Sequence, residues 1–406
     1  MQPSSIKTVK GGVTAAQGFT ASGVYAGIKK VHKPDLALVV SETAGPIAGV
    51  FTNNRVVAAP VILDRLHLRH GVGQAILVNS GNANACTGKP GMAAAREMAQ
   101  LTARALGIDT HRVFVCSTGV IGQPLPIERI RAALPTAMAK LRGTGGRAAA
   151  QAILTTDLRP KETALRSRFG GVTITVGGMA KGSGMIHPDM ATMLAFVTTD
   201  ATIEQPTLQQ ALRQAVNQSF NCISVDGDTS TNDTVLCLAN GRAGGPPLRP
   251  GSVELAAFQR MLDQVCRELA LSICRDGEGV TKVVKIAVTH AHSPSDARRV
   301  ARTVATSNLV KTALFGEDAN WGRIMGAAGR AGAAIDPNKV GVWFDRAQIV
   351  HEGVGLGPAA EKAITKVIRR KEFTITIDLG QGNAEAHVWT TDLSYDYVRI
   401  NASYRS

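Results

Sequence analysis

Two segments of the chain contain residues that bind phosphate or calcium in other proteins. The segment GNANACTGKP, from Gly81, has a Gly-Lys pair, but its glycine spacing is too long for a phosphate-binding loop, and Pro90 stands where that loop needs a hydroxyl residue. The segment DGDTSTND, from Asp226, begins like a calcium loop, but Thr231 replaces the required glycine and Cys237 replaces the bidentate glutamate. We therefore predict a hydrogen-bonded turn of Asp, Ser and Thr in the second segment and no nucleotide site in the first.

Metal chemistry and serine hydrolase chemistry also lack a complete motif. His290 and His292 could present two imidazoles on one strand face, but no third ligand lies nearby in sequence, and no H-E-x-x-H pattern occurs. We predict no metal site. A G-x-S-x-G nucleophile turn is missing as well, because Ser183 in KGSGM has the wrong glycine spacing. If the protein is an enzyme, it needs a different nucleophile.

The segment 181–201, KGSGMIHPDMATMLAFVTTDA, joins a Gly-rich turn to an apolar, strand-like run through the small-residue junction Ala191-Thr192. This segment resembles the active-site motif of the glutamate N-acetyltransferases, also called ornithine acetyltransferases, of arginine biosynthesis. The resemblance covers essentially the whole chain. Its other blocks, in the family's order, are STGVIG, TTDLRPK, SVDGDTSTNDT, RDGEGVTK, GEDANWGRI and INASYRS.

The resemblance implies an N-terminal nucleophile enzyme that cuts its own chain between Ala191 and Thr192. A threonine hydroxyl inside an intact chain is a weak nucleophile. Cleavage gives Thr192 a free α-amine with a reference pKa of about 7.7 to 8.0, which places a general base on the nucleophilic residue itself. The resemblance also places the oxyanion donors at Thr118 and Gly119.

The implied reaction moves an acetyl group from N-acetylornithine through a Thr192 ester to glutamate, with no cofactor. Both substrates carry an α-carboxylate, and ornithine adds an ammonium group. Matched to the family, Lys181 would pair with a carboxylate and Glu278 with the ammonium. The neutral substrate-binding residues would be Thr155, Thr156, Asn401 and Ser406, beside Thr192 itself. Whether acetyl-CoA is a second acetyl donor stays open at this point.

Alternating apolar runs and turn residues predict a chain of mixed strands and helices around these positions. An Ala-rich helix is expected over 92–106 and another over 206–220, and one apolar face is expected on a helix over 255–269. The final two strands alternate as a hairpin would around Gly380 to Asn383. The strands are predicted at 36–42, 46–52, 75–79, 113–117, 172–177, 283–289, 340–344, 373–379 and 384–390.

Composition excludes several other classes of protein. Apolar stretches are strand-length, far short of the roughly 20 residues that cross a bilayer. The net charge of +14 favours anionic ligands, but basic residues are spread along the chain and aromatics are only 4%, so nucleic acid is not the expected partner. The six cysteines show no C-x-x-C spacing, and the N-terminal sequence has no apolar signal region, so we expect a cytoplasmic protein.

The resemblance implies a layered α-β-β-α fold with mixed sheets. It divides the chain into an α fragment, 1–191, and a β fragment, 192–406, that stay associated as an α2β2 heterotetramer. One alternative is a self-processing aminopeptidase or amidase, in which water takes the acyl group. The two enzymes are distinguished by whether turnover of N-acetylornithine requires glutamate. A basic nucleic-acid-binding protein is the non-enzymatic alternative, which would bind DNA with steep salt dependence and remain uncut.

Overall fold

The computed structural model describes residues 5–187 and 193–402. Ala191, Thr192 and Ser406 of the predicted site therefore lie outside the described residues. The described chain divides into two compact units: unit 1 takes 5–182, 193–221 and 229–273, and unit 2 takes the rest. Unit 1 contains residues from both sides of the 191/192 junction, so the units are not the predicted fragments, and the fragment boundary stays a prediction.

Unit 1 is built on a nine-stranded sheet in the order β1-β6-β7-β8-β9-β3-β4-β5, with β2 pairing to β3. The sheet is mixed, because β4 and β5 run parallel, as do β8 and β9, while the other pairs are antiparallel. The strands are β1 (Lys7–Thr8), β2 (Phe19–Val24), β3 (Leu36–Phe51), β4 (Val72–Asn82), β5 (Val113–Val120), β6 (Lys161–Phe169), β7 (Val172–Lys181), β8 (Leu194–Thr199) and β9 (Thr234–Ala239).

The long strand β3 belongs to both layers of the sheet. Its first half pairs with β2 and β4, and its last residues pair with β9, with an irregularity between Val40 and Gly45. The sequence predicted two separate strands here. A Cβ on Gly45 would lie 2.0 Å from the Ala239 carbonyl oxygen, so the backbones approach too closely for any side chain at the bend.

Helices pack on the outer faces of the two sheet layers, except α4, whose alanines lie in the core between the layers. One apolar core lies between the layers. In a second core, strands β2 through β5 pack against α2 and α3. On the other layer, Val265 and Leu269 of α6 approach Gly178 of β7. These four layers confirm the α-β-β-α arrangement with mixed sheets. The helices are α1 (Ala59–His67), α2 (Gly88–Leu106), α3 (Ile127–Ala139), α4 (Gly146–Ala152), α5 (Gln205–Asn217) and α6 (Val253–Arg275).

Unit 2 has a six-stranded mixed sheet in the order β13-β12-β11-β14-β10-β15. One apolar core joins this sheet to α7, α8, α9 and α10. The strands are β10 (Val283–Ala291), β11 (Gly341–Phe344), β12 (Ala347–His351), β13 (Val354–Gly355), β14 (Glu372–Asp378) and β15 (Ala384–Thr391). The helices are α7 (Pro294–Ala305), α8 (Asn308–Phe315), α9 (Trp321–Gly329), α10 (Pro358–Ile368) and α11 (Tyr395–Ala402).

The predicted hairpin of the last two strands is wrong. β14 and β15 both pair with β10, which lies between them, β14 in parallel and β15 antiparallel. The Gly-rich connection therefore crosses over β10 instead of forming a tight turn. Alternation of apolar residues predicted each strand correctly, but it carries no information on which strand is the neighbour.

The predicted helices agree with the structure, since α2 and α5 overlap the predicted ranges. On α6, Phe258, Leu262, Val265 and Leu269 are buried as predicted, and Leu255 is half-buried.

No helix among residues 5–187 and 193–402 has both the length and the apolar character that a bilayer crossing requires.

Candidate active site

Thr118 and Gly119 lie at the end of β5, beside the parallel strand β4. Gly119 pairs with Gly81 and has a φ of +134°, and a Cβ at this position would lie 2.3 Å from the Gly81 carbonyl carbon. No other residue fits, because both the conformation and the close backbone contact exclude a side chain. Thr118 is buried, and its Oγ1 accepts a hydrogen bond from Lys181 Nζ at 3.3 Å. The structure therefore brings a predicted oxyanion residue into contact with a predicted substrate-binding residue.

Lys181, at the end of β7, is only 2% exposed and so is not a surface charge. Its Nζ lies 4.0 Å from Asp157 Oδ2, and the neighbouring amide of Gly182 donates to Asp157 Oδ1 at 2.7 Å. Lys161 Nζ makes the shorter ion pair with Asp157, at 2.6 Å. One buried carboxylate thus anchors two ammonium groups and the turn that follows β7.

The charge state of Asp157 follows from these contacts. Burial alone would raise the pKa of this carboxyl, because it disfavours the charged form. The Lys181 and Lys161 ammonium groups and the hydrogen bonds from Lys161 and Gly182 outweigh that effect and lower the pKa of Asp157 to about 2. Asp157 is therefore ionised at neutral pH.

Thr155 and Thr156 lie in the segment between α4 and β6, and both are half-buried. The backbone amide of Thr155 donates to Asp157 Oδ2 at 3.1 Å, so this segment is fixed to the same carboxylate as Lys181. Burial lowers the pKa of a further cation, Lys29, to about 8, although the nearby carboxylates of Asp35 and Asp157 raise it. Lys181 also lowers the Lys29 pKa, so the two ammonium groups are close enough to repel each other. A surplus of positive charge here suits a carboxylate ligand.

In unit 2, Glu278 and Asn401 form a second contact between predicted site residues. Asn401 Nδ2 donates to Glu278 Oε2 at 2.8 Å, and the backbone amide of Glu278 donates to the Ser183 carbonyl at 3.0 Å. Glu278 is buried. A Cβ on Gly184 would lie 2.4 Å from Glu278 Oε2, so the glycine leaves the space that this carboxylate occupies. Asn401 lies in α11, near the end of that helix.

Asp226 fixes the backbone of the Gly-rich turn within unit 2. Its carboxylate accepts from the amides of Met185 at 2.5 Å and Ile186 at 2.9 Å, and from Tyr397 Oη at 3.1 Å. Burial raises the pKa of Asp226, and the amide hydrogen bonds oppose that rise. The amide of Asp228 also donates to Asp226, which confirms a hydrogen-bonded turn where the sequence imitates a calcium loop.

Sequence reasoning missed Lys29, Asp157, Asn232 and Asp233. Asp157 carried a local signal, since it stands between the predicted pair Thr155-Thr156 and Lys161, four residues further on. Asn232 and Asp233 are buried and contact residues distant in sequence, so spacing gave no signal for them. Among residues 5–187 and 193–402, no group of three or more His, Cys, Asp or Glu side chains is arranged to hold a metal ion. His290 Nδ1 instead contacts Asp378 at 2.8 Å.

Comparison with known proteins gives matches along nearly the entire chain. A family model described as the ArgJ family matches residues 20–406. The arginine biosynthesis bifunctional protein ArgJ of Symbiobacterium thermophilum is 53% identical over 400 residues, 98% of this chain and 99% of the relative. The protein of the same name from Geobacter sulfurreducens is 51% identical over 390 residues, 96% of this chain and 99% of the relative. The crystal structure of the Bacillus halodurans ArgJ protein is 41% identical, with a TM-score of 0.50, and covers 52% of this chain and 98% of that chain.

Proposed function

Since the chain belongs to the ArgJ family, we propose that it transfers the acetyl group of N2-acetylornithine to glutamate through an ester on Thr192. Family membership makes the protein an acyltransferase of arginine biosynthesis, a glutamate N-acetyltransferase.

One observation carries the assignment of roles. In the antiparallel pairing of β7 with β8, Lys181 lies opposite Leu194, two residues after Thr192. The same Lys181 donates to Thr118 Oγ1. The strand that follows the proposed nucleophile is thus in register with a lysine that contacts the proposed oxyanion residue. A reacting carbonyl needs its nucleophile and its oxyanion donors close together, and this register supports the proposed roles.

Self-cleavage begins with attack of Thr192 Oγ1 on the carbonyl carbon of Ala191. The bond from that carbon to the Thr192 nitrogen breaks, the nitrogen gains a proton and becomes the free α-amine, and water hydrolyses the resulting ester. The Bacillus halodurans chain is covered to 98% while it covers 52% of this chain, which is the length expected of one fragment of a chain cut near its middle. Residues 192–406 are also about half of this chain.

In the transfer reaction, the α-amine of Thr192 takes the hydroxyl proton while Oγ1 attacks the acetyl carbonyl of N2-acetylornithine. Ornithine leaves with its amine protonated, and the acetyl group remains as a Thr192 ester. The amine of glutamate then attacks that ester, and N-acetylglutamate leaves as Thr192 Oγ1 regains its proton. No cofactor takes part in either half of the reaction.

Thr118 and Gly119 suit the oxyanion role for a physical reason. Thr118 Oγ1 accepts the Lys181 hydrogen bond, so the hydroxyl proton of Thr118 is not used in that contact and can be donated to developing negative charge. A positive charge behind the hydroxyl also strengthens it as a donor. The amide of Gly119 would supply the second donor.

The substrate groups follow the charges of the residues. Lys181 would bind an α-carboxylate together with Thr155 and Thr156, and Glu278 would bind the ornithine ammonium, with its carboxylate already oriented by Asn401. Ser406 is assigned to substrate binding by resemblance alone. The α2β2 assembly and the cytoplasmic location likewise remain predictions from the sequence. Because its relatives are named bifunctional, we include acetyl-CoA as a second donor to glutamate in the proposal.

The experiment that tests this function follows ornithine release from N2-acetylornithine by the purified protein, with and without glutamate. The proposal expects a single turnover without glutamate and continuous release with it, together with equal formation of N-acetylglutamate. Continuous release without glutamate would contradict the transfer reaction and favour the amidase alternative, in which water takes the acetyl group.

A further inference from the structure

We propose that Asn232 and Asp233, consecutive residues of the DGDTSTND turn, are positioning residues that fix the nucleophile's strand and the oxyanion strand relative to each other. The inference rests on the proposed function, because it concerns the peptide groups next to Thr192 and Thr118. Neither residue was assigned a role by the sequence. Both belong to unit 1, as do all the groups that they contact.

Asn232 holds the oxyanion side. Its Nδ2 donates to the Ser117 carbonyl at 2.8 Å and to the Ala83 carbonyl at 2.7 Å. Two carbonyl acceptors require the amide nitrogen at this end of the side chain, and Thr231 Oγ1 donates to Oδ1 at 2.5 Å at the other end. The Ser117 carbonyl belongs to the peptide group that joins Ser117 to Thr118. Asn232 therefore fixes the plane from which Thr118 extends.

Asp233 holds the nucleophile side. Its Oδ1 accepts from the backbone amide of Met193 at 2.7 Å, and the next amide, that of Thr234, donates to the Met193 carbonyl at 3.2 Å. Both backbone groups of residue 193 are thus bound by residues 233 and 234. The Met193 amide belongs to the peptide group that joins Thr192 to Met193. Immediately afterwards, β8 and β9 begin their parallel pairing at Leu194 and Thr234.

The burial of Asp233 argues for more than a simple turn. The residue is 0% exposed, so its carboxyl group is shielded completely from solvent. Burial raises the pKa of Asp233 well above its usual value, while the Met193 amide, the Lys181 ammonium and hydrogen bonds from Thr52 and Ser230 lower it. An asparagine or a serine would satisfy an ordinary turn at lower cost.

The two side chains thus constrain the two peptide groups through one short stretch of backbone. That stretch is itself anchored, because the amide of Thr52 donates to the Asp233 carbonyl at 3.0 Å and Thr52 Oγ1 donates to the Ser230 carbonyl at 2.7 Å. A displacement of the nucleophile relative to its oxyanion donors by about 1 Å can lower a rate by about a hundredfold. The pair should therefore affect kcat more than KM.

The test compares full-length variants Asn232→Ala, Asp233→Ala, Asn232→Ser and Asp233→Asn with the control Thr198→Val. Thr198 lies in β8 and donates to the Val13 carbonyl, so the control loses one buried hydrogen bond in the same strand without affecting either peptide group. Self-cleavage rate, kcat, KM and thermal midpoint are measured for each. If an alanine variant does not fold, Asn232→Ser and Asp233→Asn are measured in its place.

We expect each alanine variant to cleave more slowly and to lose kcat by about 10- to 100-fold, with KM changed less than about twofold. Asp233→Asn keeps an oxygen acceptor for the Met193 amide and should retain kcat within about threefold. Asn232→Ser should lose kcat, because one hydroxyl proton cannot serve two carbonyls. Thr198→Val should lose stability with kcat within about twofold.

The inference is overturned if the Asn232 and Asp233 variants lose stability while their kcat and cleavage rate match those of Thr198→Val. If the wild type is cut and transfers acetyl groups in the same experiment, the proposed function still holds and only the positioning role is lost. A wild type that remains uncut and inactive removes the proposed function and this inference together.

Discussion

Lys181 Nζ lies 3.3 Å from Thr118 Oγ1, and both groups are buried. The contact joins the ends of β5 and β7, strands that are not neighbours in the sheet. Asp157 keeps the ammonium group there by its charge, although a buried ammonium is otherwise unfavourable. The chemistry of the proposed site therefore depends on a small electrostatic cluster as well as on the nucleophile.

Removal of the Lys181 charge should weaken catalysis through Thr118. We expect Lys181→Met to lower kcat for acetyl transfer by about 10- to 100-fold, since hydrogen bonds from charged groups contribute about 1.5 to 3 kcal/mol, while loss of its carboxylate-binding role raises KM separately. The matched control is Lys161→Met, which also removes an Asp157 partner, although Lys161 makes no hydrogen bond to Thr118 within residues 5–187 and 193–402. Steady-state kinetics measure kcat and KM for both variants. Equal losses of kcat in the two variants would contradict the role of the Thr118 contact.

Gly119 should tolerate no side chain. In Gly119→Ala the new Cβ would clash with the Gly81 backbone, so we expect a loss of about 2 kcal/mol or more of unfolding free energy and impaired self-cleavage. Gly122→Ala is the control, because Gly122 also has a positive φ, +81°, but nothing lies within 4 Å of its added Cβ. It should cost about 1 kcal/mol. Urea unfolding and the fraction of cut chain are measured, and equal costs would contradict the steric argument.

Glu278→Gln should weaken binding of the substrate with a side-chain ammonium. The variant keeps an oxygen that can accept from Asn401, so the local geometry is preserved while the charge is lost. We expect KM for N2-acetylornithine to rise by about 10- to 100-fold and KM for glutamate to change much less. Initial rates with each substrate varied in turn provide the comparison. Equal changes in both KM values would contradict the ammonium-binding role.

Asp157 should make stability depend on acid. Its folded-state pKa of about 2 lies below the ordinary aspartate value of 3.8, so its ionised form favours the folded state. This contribution is present above pH 3.8 and is lost as the pH falls through 2. We expect the stability difference between wild type and Asp157→Asn to shrink by about 2 kcal/mol between pH 5 and pH 2. Urea unfolding across that range measures it. A difference that stays constant would show that Asp157 is not held ionised by its lysines.

The sequence predicted the local elements well and the long-range arrangement only in part. The ranges of β5, β7, α2 and β10 follow from short apolar patterns, which depend on nearby residues alone. The hairpin of β14 and β15 was wrong because strand order is decided by packing between distant segments. The single strand β3 was read as two, because Gly45 and Pro46 interrupt the pattern while the backbone continues.

The same distinction holds for the site. Thr118 and Lys181 were identified from the blocks that carry the family resemblance, and the structure brings them into contact. Asn232 was missed because its partner Ser117 lies 115 residues away, and Asp233 because Met193 lies 40 residues away. Neither spacing is a periodic one, so only the folded chain shows that these side chains meet the peptide groups beside the proposed nucleophile and oxyanion donor.

The most direct test of the central claim is intact mass spectrometry of the purified wild type beside Thr192→Ala. The account predicts two wild-type fragments that meet between Ala191 and Thr192, and a single uncut chain of 42.6 kDa for the variant. An uncut wild type that still transfers acetyl groups would contradict Thr192 as an N-terminal nucleophile.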